Sequence, residues 1–190
     1  IREIGTMGKN VLVINGSPRR DGNTESLADA VIAGTESAGH SGSKANIRTV
    51  NIKPCIGCYQ CAAGKGDPCV QKDDMKEIYE KLEQSDVIVF ASPLYWWQVT
   101  AQMKTVIDRL FAVAAANSMQ MPKKDVALII AAEDAREENF KQIIPYYQTC
   151  LSKNLGWTDR GMILAGGVNM PGDVEKTPFL KQAEELGASL

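Results

Sequence analysis

The sequence predicts an α/β fold of the doubly wound kind, a five-stranded parallel sheet covered by helices on both faces to give three layers. Three observations carry this. Continuous aliphatic and β-branched runs occur at Val11–Ile14, Val87–Ala91 and Val126–Ala131, the pattern of strands buried on both faces. Segments of helical period alternate with them, which is the order that crossover connections require. A polar turn, Asn15 to Ser26, joins the first strand to the first helix.

Taken in order, Val11-Leu12-Val13-Ile14 reads as the first strand. Leu27, Ala30, Val31, Gly34 and Ala38 then recur at helical spacing, with Asn23 or Thr24 in the N-cap position. Asn46 to Ile52 alternates polar and apolar residues, as a strand near a sheet edge does. Lys53 to Val70 is irregular, with Pro54, Pro68, three glycines and four cysteines. Asp73-Asp74 place negative charge at the start of a helix whose buried stripe is Met75, Ile78, Tyr79 and Leu82. The third strand ends at Ser92-Pro93, and Met103, Val106, Ile107, Leu110 and Phe111 mark the third helix. Gln102, Lys104 and Arg109 fall on that helix's polar side, a candidate dimer face. After the fourth strand, a helix is expected from Arg136 to Leu155, broken near Pro145 and ended by Gly156. Gly161 to Ala165 supplies the fifth strand, and Thr177-Pro178 opens the last helix as N-cap and N1. Residues 9–190 are expected to form one domain, and residues 1–8 a loose extension in which Met7 is a candidate start.

Composition removes several classes of function. A formal net charge of −2, with signs interspersed, gives no basic stripe for nucleic acid. No apolar run approaches the length of a membrane span and no charged-then-apolar leader opens the chain, so a cytoplasmic setting is expected. His40 is the single histidine and falls in a Gly/Ser loop, where a solvated role is expected. That leaves no histidine for a nucleophilic triad or a metal site. A cofactor is then the natural carrier of any chemistry.

The turn after the first strand reads as a phosphate cradle. A strand, a tight turn and a helix start gather backbone N–H groups and the positive end of a helix dipole. Ser17, Asn23 and Thr24 add side-chain donors, and Arg19 adds a fixed charge. Neither Gly-x-x-x-x-Gly-Lys-Ser/Thr nor Gly-x-Gly-x-x-Gly is present, so a terminal monophosphate suits better than a triphosphate or a dinucleotide. A plain polar turn that binds nothing is the alternative. The loop after the third strand, Pro93-Leu94-Tyr95-Trp96-Trp97-Gln98, sets three large aromatic residues where the chain leaves the sheet. A planar ring would cover them, and a subunit interface at Trp96 and Trp97 is the competing account.

Gly16-Ser17-Pro18-Arg19 with Gly22-Asn23-Thr24, then Ser92-Pro93-Leu94-Tyr95-Trp96-Trp97, Ala101-Gln102-Met103-Lys104 and Ile107-Asp108-Arg109, resembles the NADPH-dependent FMN reductase family of flavodoxin-like proteins. The resemblance runs from Lys9 onward. It implies strand order 2-1-3-4-5, one FMN per subunit, a homodimer or homotetramer, NAD(P)H as electron source and a small-molecule acceptor. By position, Ser17, Arg19, Asn23 and Thr24 would hold the FMN phosphate. Pro93, Leu94, Tyr95 and Trp96 would frame the ring, and Ala132 and Glu133 would border its other side. Hydride would pass from nicotinamide to the flavin and on to the acceptor in one shared pocket, with no titratable catalytic residue required.

Cys55-x2-Cys58-x2-Cys61-x7-Cys69 is dense enough to wrap one cluster and resembles the compact motif of iron-sulfur flavoproteins. There, electrons would pass between a [4Fe-4S] centre and FMN. A four-thiolate zinc site, reduced thiols and a disulfide are the other readings of the same residues. Cys150 stands apart on a helix as core packing. Three functions are therefore carried forward: an FMN-dependent NAD(P)H oxidoreductase, an iron-sulfur flavoprotein electron carrier, and a non-catalytic FMN-binding module.

Overall fold

In the computed structural model, which describes residues 8–190, five strands form one parallel sheet in the order β2-β1-β3-β4-β5. The strands are β1 (Asn10–Asn15), β2 (Ser41–Asn46), β3 (Val87–Pro93), β4 (Asp125–Ala132) and β5 (Thr158–Gly166). The helices are α1 (Asn23–Ser37), α2 (Met75–Gln84), α3 (Ala101–Arg109), α4 (Phe111–Ala116), α5 (Ile143–Tyr146) and α6 (Phe179–Ser189). Of the segment expected to be an extension, residues 1–7 lie outside the described residues.

Side-chain alternation along the strands divides each apolar run between two cores. Leu12, Ile14, Ile88, Phe90, Leu128 and Ile130 face α2, α3 and α5. Val11, Val13, Val87, Val89, Ala127 and Ile129 face α1 and α6. A strand apolar at every position therefore reports two covered faces, and three layers follow. On the second face α1 and α6 touch backbone to backbone. A Cβ added at Gly34 would lie 2.0 Å from the Glu184 carbonyl oxygen, and one at Gly187 would lie 2.1 Å from that of Val31.

Several expectations need correction. The edge strand is Ser41–Asn46, not Asn46–Ile52, which instead begins a short 3-10 turn at Ile47–Thr49. Strand β2 pairs with β1 alone and needs only backbone for that. The apolar alternation beyond Asn46 reflects Ile47 entering the core. The N-cap of α1 is Gly22, with no side-chain cap. The helix expected over Arg136 to Leu155 is broken into a 3-10 turn at Glu137–Phe140, the single turn of α5 containing Pro145, and a π-helical segment at Tyr147–Lys153. Arg109 is 2% exposed, so it is not part of an external polar face. His40 is half-buried, and its Nδ1 accepts from the Lys9 amide at 3.2 Å. At the last helix the N-cap is Pro178 and not Thr177, with no side-chain cap, although Thr177 Oγ1 accepts from the Phe179 amide at 3.3 Å.

Candidate functional site

The carboxyl ends of β1, β3, β4 and β5 open on one rim, and the strand order reverses at β1 and β3. In open parallel sheets that crevice is where ligands sit. Two turns are locked together there. The Gly16 amide donates to the Ala91 carbonyl at 2.8 Å, and the Thr100 hydroxyl, which caps α3 by accepting from the Met103 amide, donates to the Gly16 carbonyl at 2.7 Å. A side chain at position 16 would meet Met103 Cβ at 2.8 Å, so glycine is needed for the close approach. Ser92 Oγ completes the joint by accepting from the Thr100 amide at 3.0 Å.

Past Gly16 the turn folds on its own polar groups. The Ser17 amide donates to Asn15 Oδ1 at 3.1 Å, and the Arg19 amide donates to Ser17 Oγ at 3.2 Å. At the start of α1 the amides of Gly22, Asn23 and Thr24 find no acceptor among the described residues. Unpaired amides at a helix start form an anion site, strengthened by the dipole. The Asn23 side chain is engaged elsewhere, donating to the Met170 carbonyl at 3.0 Å and accepting from the Val174 amide at 3.2 Å. Its backbone amide, not its carboxamide, is therefore the group that stays free. The Thr24 side chain is buried and makes no hydrogen bond among the described residues. Arg19 reaches across the crevice and donates to the Asn169 carbonyl at 2.8 Å.

The aromatic loop is a two-residue hairpin turn. The amide of Tyr95 donates to the Gln98 carbonyl at 2.9 Å and the amide of Gln98 to that of Tyr95 at 3.0 Å. Trp96 and Trp97 occupy the turn with φ of 49° and 61°, a region that usually takes Asn-Gly and disfavours bulky residues. Tyr95, Trp96 and Trp97 are 41%, 87% and 47% exposed. The indole Nε1 of Trp97 donates to Asn139 Oδ1 at 3.0 Å, tying the loop to the segment after β4.

All ten residues predicted for phosphate and ring line one cavity of about 310 Å³: Ser17, Arg19, Asn23 and Thr24 at one end, Pro93, Leu94, Tyr95 and Trp96 at the other, and Ala132 and Glu133 opposite. Val168 and Asn169, after β5, also line it, beside Gly22 and Ala131, and were missed. Gly166-Gly167 was the available signal, because Gly167 at φ 79° turns the chain back to the rim. A second cleft of about 310 Å³ shares Leu94, Trp96, Ala132 and Glu133 and adds Trp97, Asp134, Arg136 and Asn139. There the Arg136 guanidinium pulls the Asp134 carboxyl down to about 2.

The four loop cysteines are free thiols that line a separate cavity of about 170 Å³ with Tyr59, Arg109 and Phe111. Among the described residues no three His, Cys, Asp or Glu side chains converge as ligands of one metal ion. Beside this cavity Arg109 and Asp73 form an ion pair in which both side chains are 1% exposed. Burial works against both charges. The paired carboxylate and guanidinium outweigh it, holding Asp73 below and Arg109 above their ordinary ranges.

A cradle of unpaired amides beside a flat-walled cavity, at the switch point of a 2-1-3-4-5 sheet, defines a nucleotide-binding α/β protein. Residues 9–140 match the NADPH-dependent FMN reductase family, and the chain belongs to that family. It is accordingly an oxidoreductase with FMN as its cofactor. An iron-sulfur flavoprotein of Archaeoglobus fulgidus is 35% identical over 93% of this chain and 76% of its own length. One of Methanosarcina thermophila is 33% identical over 62% of this chain and 60% of its own length. Among solved structures, an NAD(P)H:quinone oxidoreductase from Methanothermobacter marburgensis superposes with a TM-score of 0.74 at 18% identity, covering 95% of this chain and 98% of that one. That last likeness is one of fold. The residues present fit the cofactor: free amides and one guanidinium for a single phosphate, apolar and aromatic walls for a ring.

Proposed function

We propose that this chain takes hydride from NAD(P)H and passes reducing equivalents through FMN to a small acceptor. The observation that carries the reading is that loops from three strand ends bring all ten expected residues to one cavity. The amides of Gly22, Asn23 and Thr24, the Ser17 and Thr24 hydroxyls and Arg19 hold the phosphate. Pro93, Leu94, Tyr95 and Trp96 frame the ring, and Ala132 and Glu133 border it. When bound, FMN supplies the hydride chemistry. The chain's own part is to orient the ring and to offer backbone donors to charge that develops on it. Trp96 and the second cleft leave one side open to a nicotinamide or an acceptor. A partner subunit in a homodimer or homotetramer would cover the remaining aromatic surface.

The cysteine loop supports a second centre. Four thiols line one cavity, and their Cys-x2-Cys-x2-Cys-x7-Cys spacing is dense enough to wrap one cluster, whereas one zinc ion more often takes two separated Cys-x2-Cys pairs. Cys55, Cys58, Cys61 and Cys69 would hold [4Fe-4S] and exchange electrons with the flavin, as the name of the A. fulgidus relative suggests. A reducing cytoplasmic setting keeps such thiols available.

The test is anaerobic purification followed by absorbance, iron and acid-labile sulfide analysis, then addition of NADPH. Flavin bands that bleach within the mixing time support the oxidoreductase reading. A broad visible shoulder with iron and sulfide supports the second centre. Protein that stays colourless after FMN reconstitution and desalting overturns the site.

A further inference from the structure

We propose that Arg109 is the positioning residue of the cysteine loop: it grips both stems of the loop and leaves its Nε–H without a protein partner among the described residues, for the sulfur-bearing group bound there. The inference rests on the iron-sulfur reading above and goes beyond it in naming what shapes that site.

Residues 54–72 leave the fold and return between two short stems. The Asn51 amide donates to Asp74 Oδ2 at 2.7 Å, and the Asp74 amide returns to the Asn51 carbonyl at 3.2 Å. One rung further on, the Lys53 amide donates to Asp73 Oδ2 at 2.9 Å. Arg109 closes this rung from α3. Its Nη1 donates to the Lys53 carbonyl and to Asp73 Oδ2, each at 2.8 Å, and its Nη2 donates to Asp73 Oδ1 at 3.2 Å. Tyr79 supports the guanidinium from beneath, its ring centroid 6.0 Å away and its hydroxyl donating to the Arg109 carbonyl at 3.0 Å.

Beyond the clasp the loop is held lightly. Gln71 Nε2 donates to the Pro54 carbonyl at 3.1 Å, and the Tyr59 ring meets Phe111 edge-on at 5.7 Å. Cys61 and Cys69 also pack against the hydrophobic core, so the first cysteine, Cys55, is the one whose place depends most on the rung where Arg109 acts. An apolar side chain would fill that place without the desolvation of two charges. What the ion pair adds is geometry, since a planar fork fixes carbonyl and carboxylate together where a lysine cannot.

The guanidinium also carries an unused donor. Arg109 Nε is the buried side-chain nitrogen without a hydrogen-bond partner among the described residues. Arg109 lines the same cavity as the four thiols, whose walls are otherwise mostly apolar. Hydrogen bonds to cluster or cysteine sulfur are among the levers that set a cluster's potential. A hydrogen bond from Arg109 Nε to sulfur would favour the more negative, reduced state, although Asp73, paired with Arg109, and Asp108, on the same wall, carry the opposite charge.

The experiment compares the full chain with Arg109→Met and Arg109→Lys. In metal-free, reduced protein, limited trypsin cleavage at Lys65 is timed against loss of the whole chain. Cleavage is expected to speed up about tenfold in Arg109→Met, and less in Arg109→Lys, as local opening of the loop becomes easier. After anaerobic reconstitution with ferrous iron and sulfide, Arg109→Met should hold less iron per chain, and what it holds should be reduced at a lower potential. Cleavage and potential both equal to the parent's would overturn the proposal. A parent chain that takes up no iron overturns the cluster reading and the donor role of Nε, while faster cleavage of the variants would still uphold the clasp. Should Arg109→Met fail to fold, Arg109→Lys decides by the same readouts, because it keeps the charge and loses the fork.

Discussion

Arg19 and Tyr95 occupy opposite ends of the cavity proposed for flavin and report on different forces. The guanidinium of Arg19 already has one partner, the Asn169 carbonyl, so its turn is held in place before any anion arrives. The residue also lines the cavity, with N–H groups to spare. Arg19→Ala is expected to weaken FMN binding roughly tenfold at low ionic strength, and the gap should narrow as salt rises to about 0.5 M, where screening falls within a few ångströms. Tyr95→Ala should weaken binding to a similar degree with no such salt dependence, because it removes ring contact and not charge. Fluorescence titration with FMN at two salt concentrations separates the two. Equal slopes against salt would refute the division of labour. These side chains were legible in the sequence because a turn with donors and an aromatic cluster at a strand end are local patterns. The conformation of Trp96 and Trp97 was not legible, since left-handed φ values are normally announced by Asn or Gly.

Helix α1 carries the cradle at its first turn, and its far half is fixed by α6. Gly34 lies where a methyl group would sit 2.0 Å from the Glu184 carbonyl oxygen, a backbone atom with no rotamer to retreat to. Gly34→Ala must push the helices apart, and a cost of about 2–3 kcal/mol is expected, well above the small gain in helix propensity. Denaturant unfolding of the holoprotein measures it; a change within about 0.5 kcal/mol would mean that the helices separate easily. Sequence periodicity showed Gly34 on the buried stripe but not what it meets, because the partner lies on the last helix of the chain. The misplaced edge strand has the same origin. Strand β2 is mostly polar, Ser41 to Asn46, and is specified by its ladder with β1. The strands buried on both faces, where burial depends on the segment's own composition, fell close to their expected places.

At the scale of the whole molecule, Asp125 joins parts of the chain that are far apart in sequence at the rim opposite the cavity proposed for flavin. It accepts from Lys9 Nζ at 2.9 Å and from Arg160 Nε at 2.9 Å, while Lys9 also donates to the Leu190 carbonyl. The starts of β1, β4 and β5 and the end of the described chain meet there. Burial would raise the Asp125 carboxyl, but the hydrogen bonds from Lys9 and Arg160 outweigh it and the group lies below its ordinary value. The sign follows: an acid depressed in the native state contributes stability above its unfolded pKa of about 3.9, and that contribution is lost as pH falls through the lower native value. The side chain of Asp125 is 17% exposed and its partners are a third or more exposed, so the expected contribution at neutral pH is about 1 kcal/mol and not more. Asp125→Asn should therefore unfold more easily than the parent at neutral pH, and the two denaturation curves should converge as pH falls toward about 3. Asp134 is depressed as well, to about 2, but its side chain is 40% exposed and that of its partner Arg136 is 75% exposed. Solvent screens that pair, and Asp134→Asn should leave the curve unmoved. A gap between Asp125→Asn and the parent that stayed constant with pH would assign the loss to packing and not to the charge that links the three strand starts.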